Sequence, residues 1–121
     1  MSKGRVLVVD DDEDIRIAIE MTLALRGYDV TGAGDGADAL DLVRAGPPPA
    51  VILLDLRMPR MNGFEFLHAL RGDAALPRIP VVVLTGDSNA AVEARSSGAD
   101  AVLMKPLETS ALVRSIAQFA P

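Results

Sequence analysis

Residues 6–16 read VLVVDDDEDIR. Four apolar residues of strand character run straight into five consecutive acids, Asp10, Asp11, Asp12, Glu13 and Asp14. Two unit charges about 4 Å apart repel by about 4 kcal/mol at an effective dielectric of 20. Such a run therefore needs either a compensating cation or a setting that favours acids. The start of a helix is such a setting, because its free N–H groups and dipole attract negative charge. Asp12, Glu13 and Asp14 are accordingly assigned to a loop and helix start. Asp10 and Asp11 then remain as the unusual pair.

The order strand, then helix recurs along the chain. Strand-like runs are RVLVVD (5–10), YDVTGA (28–33), AVILLD (50–55), PVVVLT (80–85) and DAVLMK (100–105). Three are continuously apolar, as parallel strands buried on both faces should be. Helical patterns lie between and after them, at 13–26, 36–45, 62–71, 88–97 and 108–119. Gly27, Gly46, Gly72 and Gly98 stand at the helix ends, where a left-handed residue commonly closes the last turn. Asp14, Ser88 and Thr109 suit first-turn or N-cap roles. A five-fold βα alternation predicts a three-layer α/β/α domain over residues 1–121, with a parallel sheet between helices.

With 121 residues, folding buries roughly two thirds of the unfolded surface, enough for a core without cross-links. There is no cysteine, which excludes disulfides, thiolate zinc sites and thiol catalysis and suits a reducing cytoplasm. A single histidine removes most zinc-hydrolase and Ser-His schemes. The longest apolar runs fall far short of the roughly 20 residues that span a bilayer. With a net charge of −5 and no Lys/Arg cluster, direct nucleic-acid binding by this chain is not expected, nor is membrane association.

In open parallel sheets, ligands bind outside the carboxyl ends of the strands. The residues there are Asp10 and Asp11, Asp55, Thr85 and Lys105. Three carboxylates near one point call for a divalent ion, and an all-oxygen site that retains waters suits Mg²⁺ best. Asp55 then becomes free to attack a phosphoryl group and form an acyl phosphate. Lys105 supplies a point charge and Thr85 a hydroxyl for the phosphoryl oxygens. A loose phosphoryl-transfer transition state requires little beyond such positioning and charge.

These residues, in VVDDDED, LLDLRMPRMNG, VVVLTG and LMKP, resemble the receiver domain of a two-component response regulator over essentially the whole chain. The resemblance implies a flavodoxin-like sheet in the order 2-1-3-4-5, with Asp55 as phosphoacceptor. It implies direct Mg²⁺ ligation by Asp11 and Asp55, ligation by Asp10 through water, and a further ligand in the main-chain carbonyl of Arg57. The implied donor is a histidine kinase or histidine phosphotransfer protein, with acetyl phosphate as a small substitute. The domain would catalyse only its own phosphorylation and slow dephosphorylation in the cytoplasm, and would switch a protein-interaction surface. A phosphorylation-dependent homodimer is compatible with this, and the downstream effector is not legible. Met1, just before the first strand, argues against a receiver cut from the end of a hybrid kinase.

Some positions depart from the family pattern. Asn62 replaces the usual Asp in the turn before the third helix, a mild change. Val102 stands where many receivers place Tyr or Phe, which puts their aromatic switch in doubt. Arg57 and Asp87, two beyond Asp55 and Thr85, flank the expected path of the hydrolysing water and could pair across it. Met58 and Pro59 are read as loop packing, with the proline fixing the path after Asp55. Phe64, Phe66, Leu67 and Leu70 are expected in the core, and His68 on the surface. On the first helix Ile15, Ala18, Ile19, Thr22 and Leu23 form the expected inward face. Ile17, Met21 and Ala24 form a second stripe, suited to a phosphodonor protein.

Parts of the sequence also resemble two other functional classes. GAGDGA (32–37), with Asp55 roughly 20 residues on, fits a dinucleotide fingerprint. However, Asp35 would then sit beside a pyrophosphate, and the acids at 10–14 would have no role. An Asp-nucleophile phosphatase would carry a second acid two residues after the nucleophile, where this chain has Arg57.

Overall fold

The computed structural model describes residues 2–58 and 60–121. Pro59, expected to fix the path after Asp55, lies outside the described residues. In chain order the elements are β1 (Arg5–Val9), α1 (Glu13–Ala24), β2 (Asp29–Ala33), α2 (Gly36–Ala45), β3 (Val51–Asp55), α3 (Gly63–Gly72), β4 (Val81–Thr85), α4 (Ser88–Ser96), β5 (Ala101–Met104) and α5 (Thr109–Phe119). The strands pair in parallel in the order β2-β1-β3-β4-β5, as the resemblance implies.

Alternation along each strand sorts the core into two layers. Leu7, Val9, Ile52, Leu54, Val81 and Val83 face α2, α3 and α4, meeting Leu40, Phe66, Leu67 and Ala94. Val6, Val8, Val51, Leu53, Val82 and Leu84 face α1 and α5, meeting Ile19, Leu23, Leu112 and Ile116. The central strands β3 and β4 are buried at every position. Each buried aliphatic side chain of these strands contributes about 2 kcal/mol of hydrophobic stabilisation. The edge strands β2 and β5 are only partly buried, which explains their weaker apolar runs.

The helix starts agree with expectation. Asp14, Ser88 and Thr109 occupy first turns, while the caps are Asp12, Asp87 and Glu108. Asn62 caps α3 in a reciprocal box with Glu65. Its amide thus accepts from the helix as an Asp would. Gly27 and Gly98 take the left-handed conformation, at φ +94° and +108°. Gly46 is instead extended, and Gly72 ends α3 itself with Asp73 as cap. The proline run after Gly46 continues the chain in an extended path without a left-handed turn.

Phe66, Leu67 and Leu70 are buried, Phe64 packs against them, and His68 is exposed. On α1 only Ile19 and Leu23 are buried. Ile15, 43 % exposed, and Ala18 instead border a groove shared with Leu107 and Leu112. The helix axis therefore turns a narrower face to the sheet than its apolar pattern suggests. Ile17 and Met21 are exposed.

Far from the carboxyl edge, Arg71 ties three segments together. Its guanidinium donates to the carbonyls of Ile79 and Gly98 and to Asp100, at 2.7–3.1 Å. Asp100 also accepts from the Val81 N–H, so the starts of β4 and β5 share one acid. Burial holds the Arg71 guanidinium below its ordinary value.

Candidate phosphoacceptor site

Strand register brings the site together. Val9 pairs with Leu54, so Asp10 and Asp55 come next on neighbouring strands. Thr85 pairs with Met104, and Lys105 follows. One carboxylate oxygen from each of Asp10, Asp11 and Asp55 lies within 4.8 Å of the others. Lys105 Nζ is 3.5 Å from Asp55 Oδ1. A cavity of about 250 Å³, lined by Asp55, Arg57, Thr85, Gly86 and Lys105, opens beside them.

Each acid is held differently. Asp10 is 1 % exposed; its N–H donates to the Ala33 carbonyl and its Oδ1 accepts from the Asp12 N–H at 2.9 Å. Its Oδ2 is buried without a hydrogen-bond partner. Arg16 Nη1 donates to the Asp10 carbonyl at 2.8 Å. Asp11 is exposed. Asp55 is buried, and its Oδ1 accepts weakly from the Arg57 N–H at 3.4 Å. Behind Asp55, Gly63 approaches so closely that a Cβ there would lie 2.6 Å from the Asp55 carbonyl and 2.7 Å from Leu56 Cα. Any side chain at Gly63 would push the acceptor strand out of line. Thr85 is buried and its hydroxyl accepts from the Asp87 N–H at 3.2 Å.

The donor set fits a hard divalent cation. It is all oxygen, it carries more negative charge than Lys105 can offset, and it includes a buried carboxylate oxygen with nothing to bond. Burial, together with the nearby Asp55 charge, pushes the Asp10 carboxyl up to about 6, against the lowering effect of the Asp12 N–H.

The expected Arg57–Asp87 pair does not form among the described residues. The Asp87 carboxylate instead caps α4, accepting from the N–H groups of Asn89 and Ala90. A cap on its own helix satisfies Asp87 without ordering a long exposed arginine, which costs side-chain entropy.

The GAGDGA stretch holds no dinucleotide cradle. Asp35 caps α2 through the Asp38 N–H at 2.8 Å and accepts from Arg60 Nε at 2.8 Å. The Asp38 N–H and the Arg60 guanidinium keep the Asp35 carboxyl below the usual range. A Cβ at Gly36 would lie 2.7 Å from the Met61 carbonyl, and one at Gly32 would strike the Glu20 carboxylate. Neighbouring protein groups fill these positions. The role of Arg60 was not legible in the sequence, since it joins an acid 25 residues away, and that of Arg16 depends on how the loop after β1 turns into α1.

The sequence model of the response regulator receiver domain matches residues 6–117. The chain belongs to this family. Among curated relatives, the response regulator MprA of Mycobacterium tuberculosis is 38 % identical over 111 residues, covering 90 % of this chain and 47 % of MprA. The DNA-binding response regulator MtrA of Mycobacterium leprae is 39 % identical over 116 residues, covering 94 % of this chain and 50 % of MtrA. The chain thus spans about half the length of these relatives. Among solved structures, the chemotaxis response regulator CheY4 of Vibrio cholerae superposes with TM-score 0.87 at 33 % identity, covering 96 % of this chain and 98 % of that one. A response regulator structure from Chloroflexus aurantiacus gives TM-score 0.90 at 28 % identity over 97 % of each chain. The receiver is therefore a signalling domain, and no helix among its described residues is long and apolar enough to cross a membrane.

The raised Asp10 value sets a pH dependence for the metal-free receiver. Above about 6 the buried carboxylate is charged and opposes folding; below the ordinary value of 3.8 it is neutral in both folded and unfolded chains, and the penalty is gone. In EDTA, Asp10→Asn should therefore raise the urea midpoint at pH 7, and the gain should vanish as pH falls from 6 to 4. An equal gain at pH 4 would show that charge burial is not its cause.

Proposed function

We propose that the receiver accepts a phosphoryl group on Asp55, with Asp10, Asp11, Asp55 and the Arg57 carbonyl holding Mg²⁺. The observation that carries this reading is the cluster of three carboxylates with an unpartnered buried Asp10 oxygen, beside Lys105. When bound, Mg²⁺ supplies charge compensation for the acids and for phosphoryl oxygens. An Asp55 carboxylate oxygen attacks phosphorus, a P–O bond forms, and the P–N bond of a donor phosphohistidine breaks, its electron pair staying on the imidazole nitrogen. Lys105 leaves Asp55 for a phosphoryl oxygen, and the Thr85 hydroxyl turns from its Asp87 contact to donate to another. Gly86, without a side chain, leaves the cavity open to the donor. Only self-phosphorylation and slow loss of phosphate are assigned to the domain.

The donor is a histidine kinase or phosphotransfer protein in the cytoplasm. Ile17 and Met21, 42 % and 60 % exposed on α1, form the surface assigned to it. No nucleic-acid contact is assigned to this acidic chain. The word DNA-binding in the name of MtrA belongs to a protein about twice as long.

Acetyl phosphate with Mg²⁺ should add one base-labile phosphoryl group per chain, seen by intact mass. EDTA should stop labelling, and Asp55→Asn should remove it; stoichiometric labelling of that variant would disprove the assignment.

Ile17→Glu should slow transfer from the cognate kinase by roughly tenfold, the loss of a modest interface contact. Labelling by acetyl phosphate should be unchanged. Equal slowing with both donors would place the effect in the fold rather than at a docking surface.

Val102 packs partly buried against the core layer beneath α4. Its branched side chain has one restricted torsion and too little volume to follow Thr85 as an aromatic ring would. Beryllofluoride, a phosphoryl mimic, should therefore shift amides mainly in the loops after β3 and β4 and at the start of α4. Comparable shifts across 100–119 would show that another residue performs the aromatic's part.

A further inference from the structure

We infer that Arg60 is a positioning residue for Mg²⁺ binding, acting through its ion pair with Asp35 on the backbone arc that presents the Arg57 carbonyl. This rests on the metal-assisted reading of Asp55 given above.

Of the protein groups assigned to the metal, Asp55 ends a strand and Asp10 and Asp11 follow one directly. Arg57 lies two residues beyond β3, on the arc that leads to the Asn62 cap. The ends of this arc are fixed by backbone bonds. The Gly63 N–H donates to the Leu56 carbonyl at 3.1 Å, and the Gly36 N–H donates to the Met61 carbonyl at 3.0 Å. Between those ends Met58 rests on the core. Apart from the weak bond from the Arg57 N–H to Asp55 Oδ1, the Arg60 guanidinium makes the only hydrogen bonds involving side chains from residues 57–61 among the described residues.

Three features separate this contact from an ordinary surface pair. Its acid is buried, 5 % exposed, so the attraction is weakly screened on that side. Asp35 is itself fixed, because the same carboxylate caps α2. Arg60 also holds a left-handed backbone, φ +60°, which a residue with a side chain rarely adopts. Both Nε and Nη2 reach Asp35, and Nη2 lies 3.4 Å from Asp38. The two N–H groups converge on the single oxygen Oδ2, which leaves Oδ1 for the cap and holds the direction of the guanidinium as one lysine N–H would not. The clamp thus fastens the arc to the start of α2, across β1 from β3. Without it, the Arg57 carbonyl would have to be ordered at each metal-binding event, which weakens binding.

Mg²⁺ titrations of wild type and Arg60→Ala, followed by the amide signals of Leu56 and Arg57, test this directly. The dissociation constant for Mg²⁺ should rise roughly tenfold, the low end of effects seen when support behind a metal's ligands is removed. The acetyl phosphate labelling rate at saturating Mg²⁺ should match wild type, a split that general loosening of the site would not give. Asp35→Asn keeps a cap acceptor and should weaken Mg²⁺ similarly, and the double variant should be no weaker than the weaker-binding single. An unchanged dissociation constant in Arg60→Ala, or single effects that add in the double variant, would overturn the inference. Wild-type amides that ignore Mg²⁺ would overturn the reading of the site instead.

Discussion

Repulsion among the carboxylates of Asp10, Asp11 and Asp55, whose oxygens converge within 4.8 Å, is the constraint the receiver is built around. Lys105, at 3.5 Å from one of them, offsets part of it. Left to themselves the acids would separate. They stay together because β1 and β3 are neighbours in a sheet buried on both faces, where a slip in register would turn apolar side chains out of their layers. The hydrophobic core thus holds a charge arrangement that is unfavourable by itself and that a cation would relieve.

The same edge of the sheet carries the helix starts. Each βα connection delivers an N-terminus there, with unpaired N–H groups and the positive end of a dipole. Acids serve those ends as well as the site. Asp12, Asp35 and Asp87 cap α1, α2 and α4, and Asn62 caps α3. An acidic chain with only partial compensation from its cations can therefore keep most of these groups satisfied by main-chain donors. Asp10 Oδ2 is the buried side-chain atom among the described residues without such a donor.

Connections at the opposite end do different work. The Arg71 bonds fasten the C-terminus of α3 to the entries of β4 and β5, and the Tyr28 hydroxyl donates to the Ala120 carbonyl at 2.6 Å. These contacts lie at the strand beginnings, away from the carboxyl edge. Val102, on the half-buried β5, packs against the core layer beneath α4.

Local pattern decided much of this protein. The buried runs of β1, β3 and β4 and the glycines after the helices set the βα alternation, because burial on both faces leaves a continuous apolar signature. From that alternation, the strand-end positions of Asp10, Asp55, Thr85 and Lys105 follow by counting. What counting could not reach depended on contacts between distant segments. Ile15 and Ala18 look inward on a helical wheel, yet they border a groove between α1 and the start of α5. Asp87 was a plausible partner for Arg57 until the start of α4 offered it nearer backbone donors. Asp35 and Gly36 looked like part of a nucleotide motif until the chain after Asp55 folded onto them. Such choices rest on competition between partners brought together only by packing, and a one-dimensional pattern does not record which partner is nearer.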